Sequence, residues 1–157
     1  MRRREFIAIL GGAAAGWPLS ARAQQSNRPR LVGALFAMAP SDPEAEMRVK
    51  AFESGLRELG WVEGRNMRLE YRWAPRDLGL LLSQATELVS LGPDVILATG
   101  TPVVAALRQG NTPPVVFVQV TDPIGNGFVP NLARPGGYLT GFVSFEFTVG
   151  SKWLEAL

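Results

Sequence analysis

Apolar residues fall along the chain in runs whose period alternates between strand and helix. Leu31-Val32-Gly33-Ala34-Leu35-Phe36 is a short continuous apolar run of strand length. Ser41-Asp42-Pro43-Glu44 then offers a helix start, with an oxygen side chain as cap, proline in the first turn and an acid near the positive end of the helix dipole. The helix that follows carries Ala45, Val49, Phe52, Leu56 and Leu59 on one face and stops at Gly60. Residues 66–73 alternate Met67, Leu69, Tyr71 and Trp73 against Arg68, Glu70 and Arg72, the period of a strand with one wet face. That pattern predicts an edge strand.

Helical spacing returns with Leu78, Leu81, Leu82, Ala85, Leu88 and Val89, and Gly92-Pro93 ends the segment. Residues 94–98 predict a third strand, 102 to about 109 a short helix, 115–118 a fourth strand and 138–143 a fifth. The third and fourth strands read as buried on both faces. Regular alternation of strand and helix implies right-handed crossovers and an α/β doubly wound parallel sheet with helices on both faces. Placing the wet second strand at an edge favours the order 2-1-3-4-5, with the switch point between strands one and three.

In such sheets ligands lie outside the carboxyl ends of the strands at the switch point. Three loops qualify: residues 37–41 after the first strand, Thr99-Gly100-Thr101-Pro102 after the third, and Thr121-Asp122-Pro123-Ile124-Gly125-Asn126-Gly127 after the fourth. Gly100 lets the backbone approach a ligand, Thr101 offers a hydroxyl, and the free N–H groups of the helix beginning near Pro102 favour an anion such as a carboxylate. Thr101 can equally be a plain cap of that helix. Ser41 and Asp42 divide in the same way between capping and ligand contact. Asp122, ahead of Pro123, grips a ligand amine or an inter-lobe partner, or else closes an Asx-type turn. Gly127 closes the third loop. Phe36, Phe128 and Trp73 are either core residues or stacking surfaces for an aromatic ligand, and Trp61 covers the end of the first helix.

Composition narrows the chemistry. The 157 residues, 46% apolar and 19% charged, suit one ordinary core, and the absence of His and Cys removes the usual general base, the thiolate nucleophile and the soft metal ligands. There is no P-loop, no G-x-S-x-G elbow and no G-x-G-x-x-G after a strand. Asp122 is the one carboxylate placed at the candidate cleft, whereas paired-carboxylate chemistry needs two. The sequence therefore favours reversible binding without cofactor, metal or covalent chemistry.

The sequence pI near 9.5 invites a nucleic-acid reading, which the first residues counter. Arg3 and Arg4, one further residue, then Phe6 and Ile7 fit a twin-arginine export motif, followed by a weakly apolar stretch over 8–19 and the small-x-small cleavage signal Ala21-Arg22-Ala23. That stretch is shorter than the roughly 20 residues a bilayer span needs, and Pro18 interrupts it. Cleavage after Ala23 removes four of the 16 basic and one of the 14 acidic residues, leaving 12 against 13 and a net charge of −1. No nucleic-acid partner is expected of such a product. The expected destination is the periplasm.

Glu58-Leu59-Gly60-Trp61-Val62-Glu63-Gly64-Arg65-Asn66, Pro93-Asp94-Val95-Ile96-Leu97, Thr121-Asp122-Pro123, and Leu132-Ala133-Arg134-Pro135-Gly136-Gly137 with Thr140-Gly141 resemble the ABC-transporter substrate-binding proteins of the tryptophan- and tyrosine-binding type. The resemblance implies one lobe of a type I periplasmic binding protein, in which two lobes close on a small solute and dock on a membrane permease. It also implies that the three loops line the cleft on the first-lobe side. Tyr138 departs from the family's usual asparagine in the Pro-Gly-Gly-Asn stretch. The expected organisation is a signal peptide over 1–23, a polar leader over 24–30, a ligand-binding lobe over 31–145 and, over 146–157, the start of a crossover to a second lobe that the sequence lacks. Two functions compete with enzymes excluded: the solute-binding component of an ABC importer, and a truncated accessory or sensory domain that pairs with a second-lobe chain or with its own copy.

Overall fold

In the computed structural model, residues 28–108 and 112–143 are described, and their five strands and three helices alternate as far as the fourth strand, after which a loop without a helix leads to the fifth. The elements are β1 (Arg30–Phe36), α1 (Pro43–Glu58), β2 (Met67–Trp73), α2 (Leu78–Ser90), β3 (Val95–Thr99), α3 (Thr101–Leu107), β4 (Val115–Val120) and β5 (Leu139–Val143). The strands form one sheet in the order β2-β1-β3-β4-β5, and every pairing is parallel. The predicted fold class and strand order are thus observed, with β2 at an edge. Arg3, Arg4, Phe6, Ala21 and Ala23, and the crossover segment over 146–157, lie outside the described residues.

One face of the sheet holds the main core. Leu35, Ile96, Ala98, Val115, Phe117 and Val120 pack under α2, through Leu81, Ala85 and Leu88, and under α3, through Val103, Val104 and Leu107. The sheet comes so close to α2 that a Cβ on Gly33 would stand 3.0 Å from Leu88 Cδ1, so glycine in β1 sets that spacing. Asp77 caps α2 by accepting the Leu80 N–H at 2.9 Å, and Asp42 caps α1 by accepting the Glu44 N–H at 2.9 Å.

The other face is covered unevenly. Over β1 and β2, α1 brings Phe52 and Leu56 onto Val32, Met67 and Leu69. Of the predicted α1 stripe only Ala45 is fully buried, and Leu59, the C-cap residue, remains 78% exposed. Burial of β3 and β4 on both faces is not what the structure shows: Val95, Leu97, Val116 and Val118 are only half-buried. The cause is geometric, since these alternate side chains point away from α2 and α3, and α1 stands over β1 and β2 instead. A groove of about 400 Å³ opens there, lined by Val32, Phe52, Leu56, Trp61, Leu97 and Val116 among others. Trp61 forms part of its wall, and its backbone N–H donates to the Leu56 carbonyl at 2.9 Å.

At the amino edge of the sheet, Asp94 ties β3 to β1. The Leu31 N–H donates to its Oδ2 at 2.9 Å, and Arg30 and Arg28 donate to its Oδ1 at 2.8 and 3.0 Å. The Leu31 N–H first, and Arg30 next, hold the Asp94 carboxyl below its ordinary pKa.

Candidate functional site

Because all five strands run parallel, the exits of β1, β3 and β4 lie along one edge, beside the switch point between β1 and β3. The exit loops of β3 and β4 are fastened together. Gly100 donates its N–H to the Val118 carbonyl at 2.9 Å, and the Thr101 hydroxyl oxygen accepts the Thr121 N–H at 3.1 Å. Gly100, at φ +92°, is the N-cap of α3 and supplies no side-chain cap. Thr101 is therefore not the cap of α3 but a clasp between two loops, and Pro102 follows it, exposed, in the first turn.

The loop after β4 is held by its own side chains. Asp122 Oδ1 accepts the Gly125 N–H at 2.8 Å, which is the Asx-type turn. The carboxylate lies so close that a Cβ on Gly125 would meet Asp122 Oδ2 at 1.9 Å. Asn126 Nδ2 donates to the Thr121 and Asp122 carbonyls at 3.0 and 2.8 Å, and Pro123 is buried beneath them. Gly127, at φ +66°, turns the chain toward Phe128, whose ring lies under the Arg108 guanidinium at 5.5 Å.

The loop after β1 contributes less order. Ser41 is exposed, and the cap of α1 is Asp42, so of this pair only Asp42 serves the helix. At the ends of β1 and β2, Phe36 is 1% exposed and stacks on Trp73 with ring centroids 4.6 Å apart. Tyr71 continues the aromatic row, 6.3 Å from Phe36. Its hydroxyl donates to Glu53 at 2.9 Å, and burial, with that carboxylate, raises its pKa above the ordinary phenol value. Phe36 is a core residue, whereas Trp73 is half-buried at the end of the edge strand.

The structure brings Gly100, Thr101, Pro102, Thr121, Asp122, Pro123 and Gly127 into one loop cluster at the carboxyl edge, with Ser41 on the neighbouring exit of β1. Sequence reasoning missed Gln119, which the structure exposes at the end of β4. Its one sequence signal is a polar residue interrupting the apolar run Val115-Val116-Phe117-Val118-Gln119-Val120. The 400 Å³ groove belongs elsewhere: Arg30 and Asp94 in its wall place it toward the amino edge, on the open sheet face. Among the described residues, no group of three or more Asp or Glu is placed to hold a metal ion.

Comparison with known proteins places this architecture. Residues 37–149 match the family described as ABC transporter substrate binding protein. A tyrosine-binding protein of Clostridioides difficile is 32% identical over 100 residues, 63% of this chain and 29% of that protein. Among solved structures, an ABC domain from Streptococcus pneumoniae in complex with L-Trp superposes with a TM-score of 0.66 at 26% identity, covering 74% of this chain and 39% of that one. A conserved domain protein from Vibrio cholerae gives 0.70 at 27%, covering 82% and 43%. A ligand-free, open substrate binding protein with adhesive properties from Clostridium difficile gives 0.68 at 25%, covering 81% and 43%. The chain thus spans about three tenths of the curated relative and about two fifths of these solved chains.

Proposed function

The chain belongs to the ABC transporter substrate binding protein family, and from that premise we propose that it binds a small solute, an aromatic amino acid, reversibly at the carboxyl edge of its sheet. In this reading the twin-arginine leader exports it to the periplasm, and an ABC permease in the inner membrane takes up the solute. The observation that carries the reading is the loop cluster: the exits of β3 and β4 are joined through Thr101 and Thr121 beside the switch point. Relatives named for tyrosine and for a complex with L-Trp support the solute class. The residues there supply hydroxyls, backbone groups and one engaged carboxylate, a set suited to holding a solute.

Thermal unfolding of the purified chain against the twenty amino acids tests the reading, because a ligand that prefers the folded state raises the melting temperature. Tyrosine or tryptophan is expected to raise it and charged amino acids to leave it unchanged. A flat response to every amino acid refutes the solute class. Export is tested separately, with residues 1–30 fused to a reporter, and a reporter that stays in the cytoplasm refutes the periplasmic destination. The open apolar face of β3 and β4 favours a second reading, an accessory or sensory domain whose partner is a protein. A stable homodimer with no solute response would favour it.

A further inference from the structure

β4 keeps Val115 and Phe117 on the face covered by α2 and α3, so strict alternation would carry Gln119 onto that buried face as well. The structure avoids this with a bulge. Phe117 pairs with Gly141 and Val120 with Val143, which leaves two residues of β4 opposite one of β5. Val120 takes the core position at 1% exposure, and Gln119 is expelled to solvent. Bulges of this kind re-aim side chains and recur next to functional sites.

The backbone at Gln119 is strained to achieve it. Its φ of +57° lies in the left-handed region, where a Cβ crowds the carbonyl and glycine is the comfortable residue. The chain is fastened to the exit of β3 on both sides of it: at Val118, the residue before, whose carbonyl accepts the Gly100 N–H at 2.9 Å, and at Thr121, two residues after, whose N–H donates to Thr101 at 3.1 Å. A glycine would meet the backbone demand without strain, so the fold alone gives no reason for a side chain there. Strain held in place by its surroundings, with an exposed polar group at the loop cluster, is the pattern of a binding residue. A primary amide carries both donors and an acceptor, and so can meet either charged end of an amino acid.

We propose that Gln119 is a solute-contacting residue, whose amide hydrogen-bonds the charged backbone groups of an amino acid held at the loop cluster. This rests on the amino-acid-binding reading above. The test is calorimetric titration of the full chain with L-tyrosine and L-tryptophan, alongside thermal unfolding, for the wild type, Gln119→Gly and Gln119→Asn. Gln119→Gly is expected to melt about 2–4 °C higher, because the strain is relieved, yet to bind about tenfold more weakly, because a hydrogen bond to a charged group is lost. Gln119→Asn keeps an amide and tolerates the left-handed region, so it should recover part of the affinity. Wild-type binding matched within twofold by Gln119→Gly overturns the inference and leaves the proposed function standing. A lower melting temperature for Gln119→Gly also overturns it, since the side chain would then be supporting the fold. A wild type that binds neither amino acid overturns the amino-acid reading and the inference together.

Discussion

Replacing Thr101 by valine removes a hydroxyl and keeps the shape and the branched Cβ, so it isolates the clasp between the exits of β3 and β4. In the native loop pair the Thr121 N–H donates to Thr101 Oγ1 at 3.1 Å. Thr121 is exposed, so in the variant water can take over that N–H and no buried donor is stranded. The loss is then the net value of one neutral hydrogen bond at a wet site, about 0.5–1 kcal/mol. For a domain of this size that lowers the melting temperature by about 2–5 °C. The same energy appears locally: if the Thr121 amide exchanges through opening of the clasp, its exchange speeds up about two- to fivefold, while amides in the centre of β1 change only with global stability. Circular dichroism melting and amide exchange by NMR measure both quantities on one sample, and Thr101→Ser, which keeps the oxygen, should restore most of each. An unchanged Thr121 exchange rate in Thr101→Val would refute the clasp. A loss above about 3 kcal/mol would refute the reasoning differently, by showing that Thr101 supports a buried network.

Three further outcomes follow from other parts of the structure. Asp94→Ala should cost about 1–2 kcal/mol at neutral pH, because it strands the Leu31 N–H and unpairs Arg30. Since the fold lowers the Asp94 pKa, its stabilisation is present above the ordinary carboxylate range and is lost as pH falls through the folded value. Urea titrations at pH 7 and at pH 3 should therefore show the variant and wild type converging in acid, and a constant gap would refute the linkage. Gly141→Ala should cost at least about 3 kcal/mol, because its Cβ would stand 2.0 Å from the Phe117 carbonyl oxygen; stability within 1 kcal/mol of wild type would show that β4 and β5 can part without loss. The native protein should enhance the fluorescence of an apolar dye such as ANS, and Leu97→Gln with Val116→Gln should reduce the enhancement. Equal dye signals from the two proteins would place the accessible apolar surface elsewhere.

The features legible in the sequence are those that repeat. Alternation in 66–73 marked β2 as an edge strand, and Gly60 and Gly92 marked the ends of two helices, because these patterns report local periodicity and φ. The open face of β3 and β4 was not legible. Val95, Leu97, Val116 and Val118 spell the same apolar run whether a helix covers them or not, and only the position of α1 over β1 and β2 decides the matter. The loops of the candidate site were found by topology, which fixes where strands end. The roles within them needed coordinates: Ser41 and Asp42 are equal candidates as residue types, yet only Asp42 caps α1. Thr101 read equally as a ligand contact and as a cap ahead of a proline, whereas the partner of its hydroxyl lies twenty residues away. Gln119 escaped notice because a bulge is a property of two strands, and neither strand alone encodes it.

The position of β1 in the sheet imposes a schedule on synthesis. β1 pairs with β3 through Val32 and Val95, so once made it waits for about sixty more residues before both its edges are satisfied. Until then Leu31-Val32-Gly33-Ala34-Leu35-Phe36 presents an uncharged apolar ribbon with at least one bare edge, the kind of segment that seeks other chains. Closing so long a loop is slow compared with forming a helix. The hazard for this protein thus lies in the interval before β3 emerges, when a strand that the finished fold buries along six of its seven residues stands open.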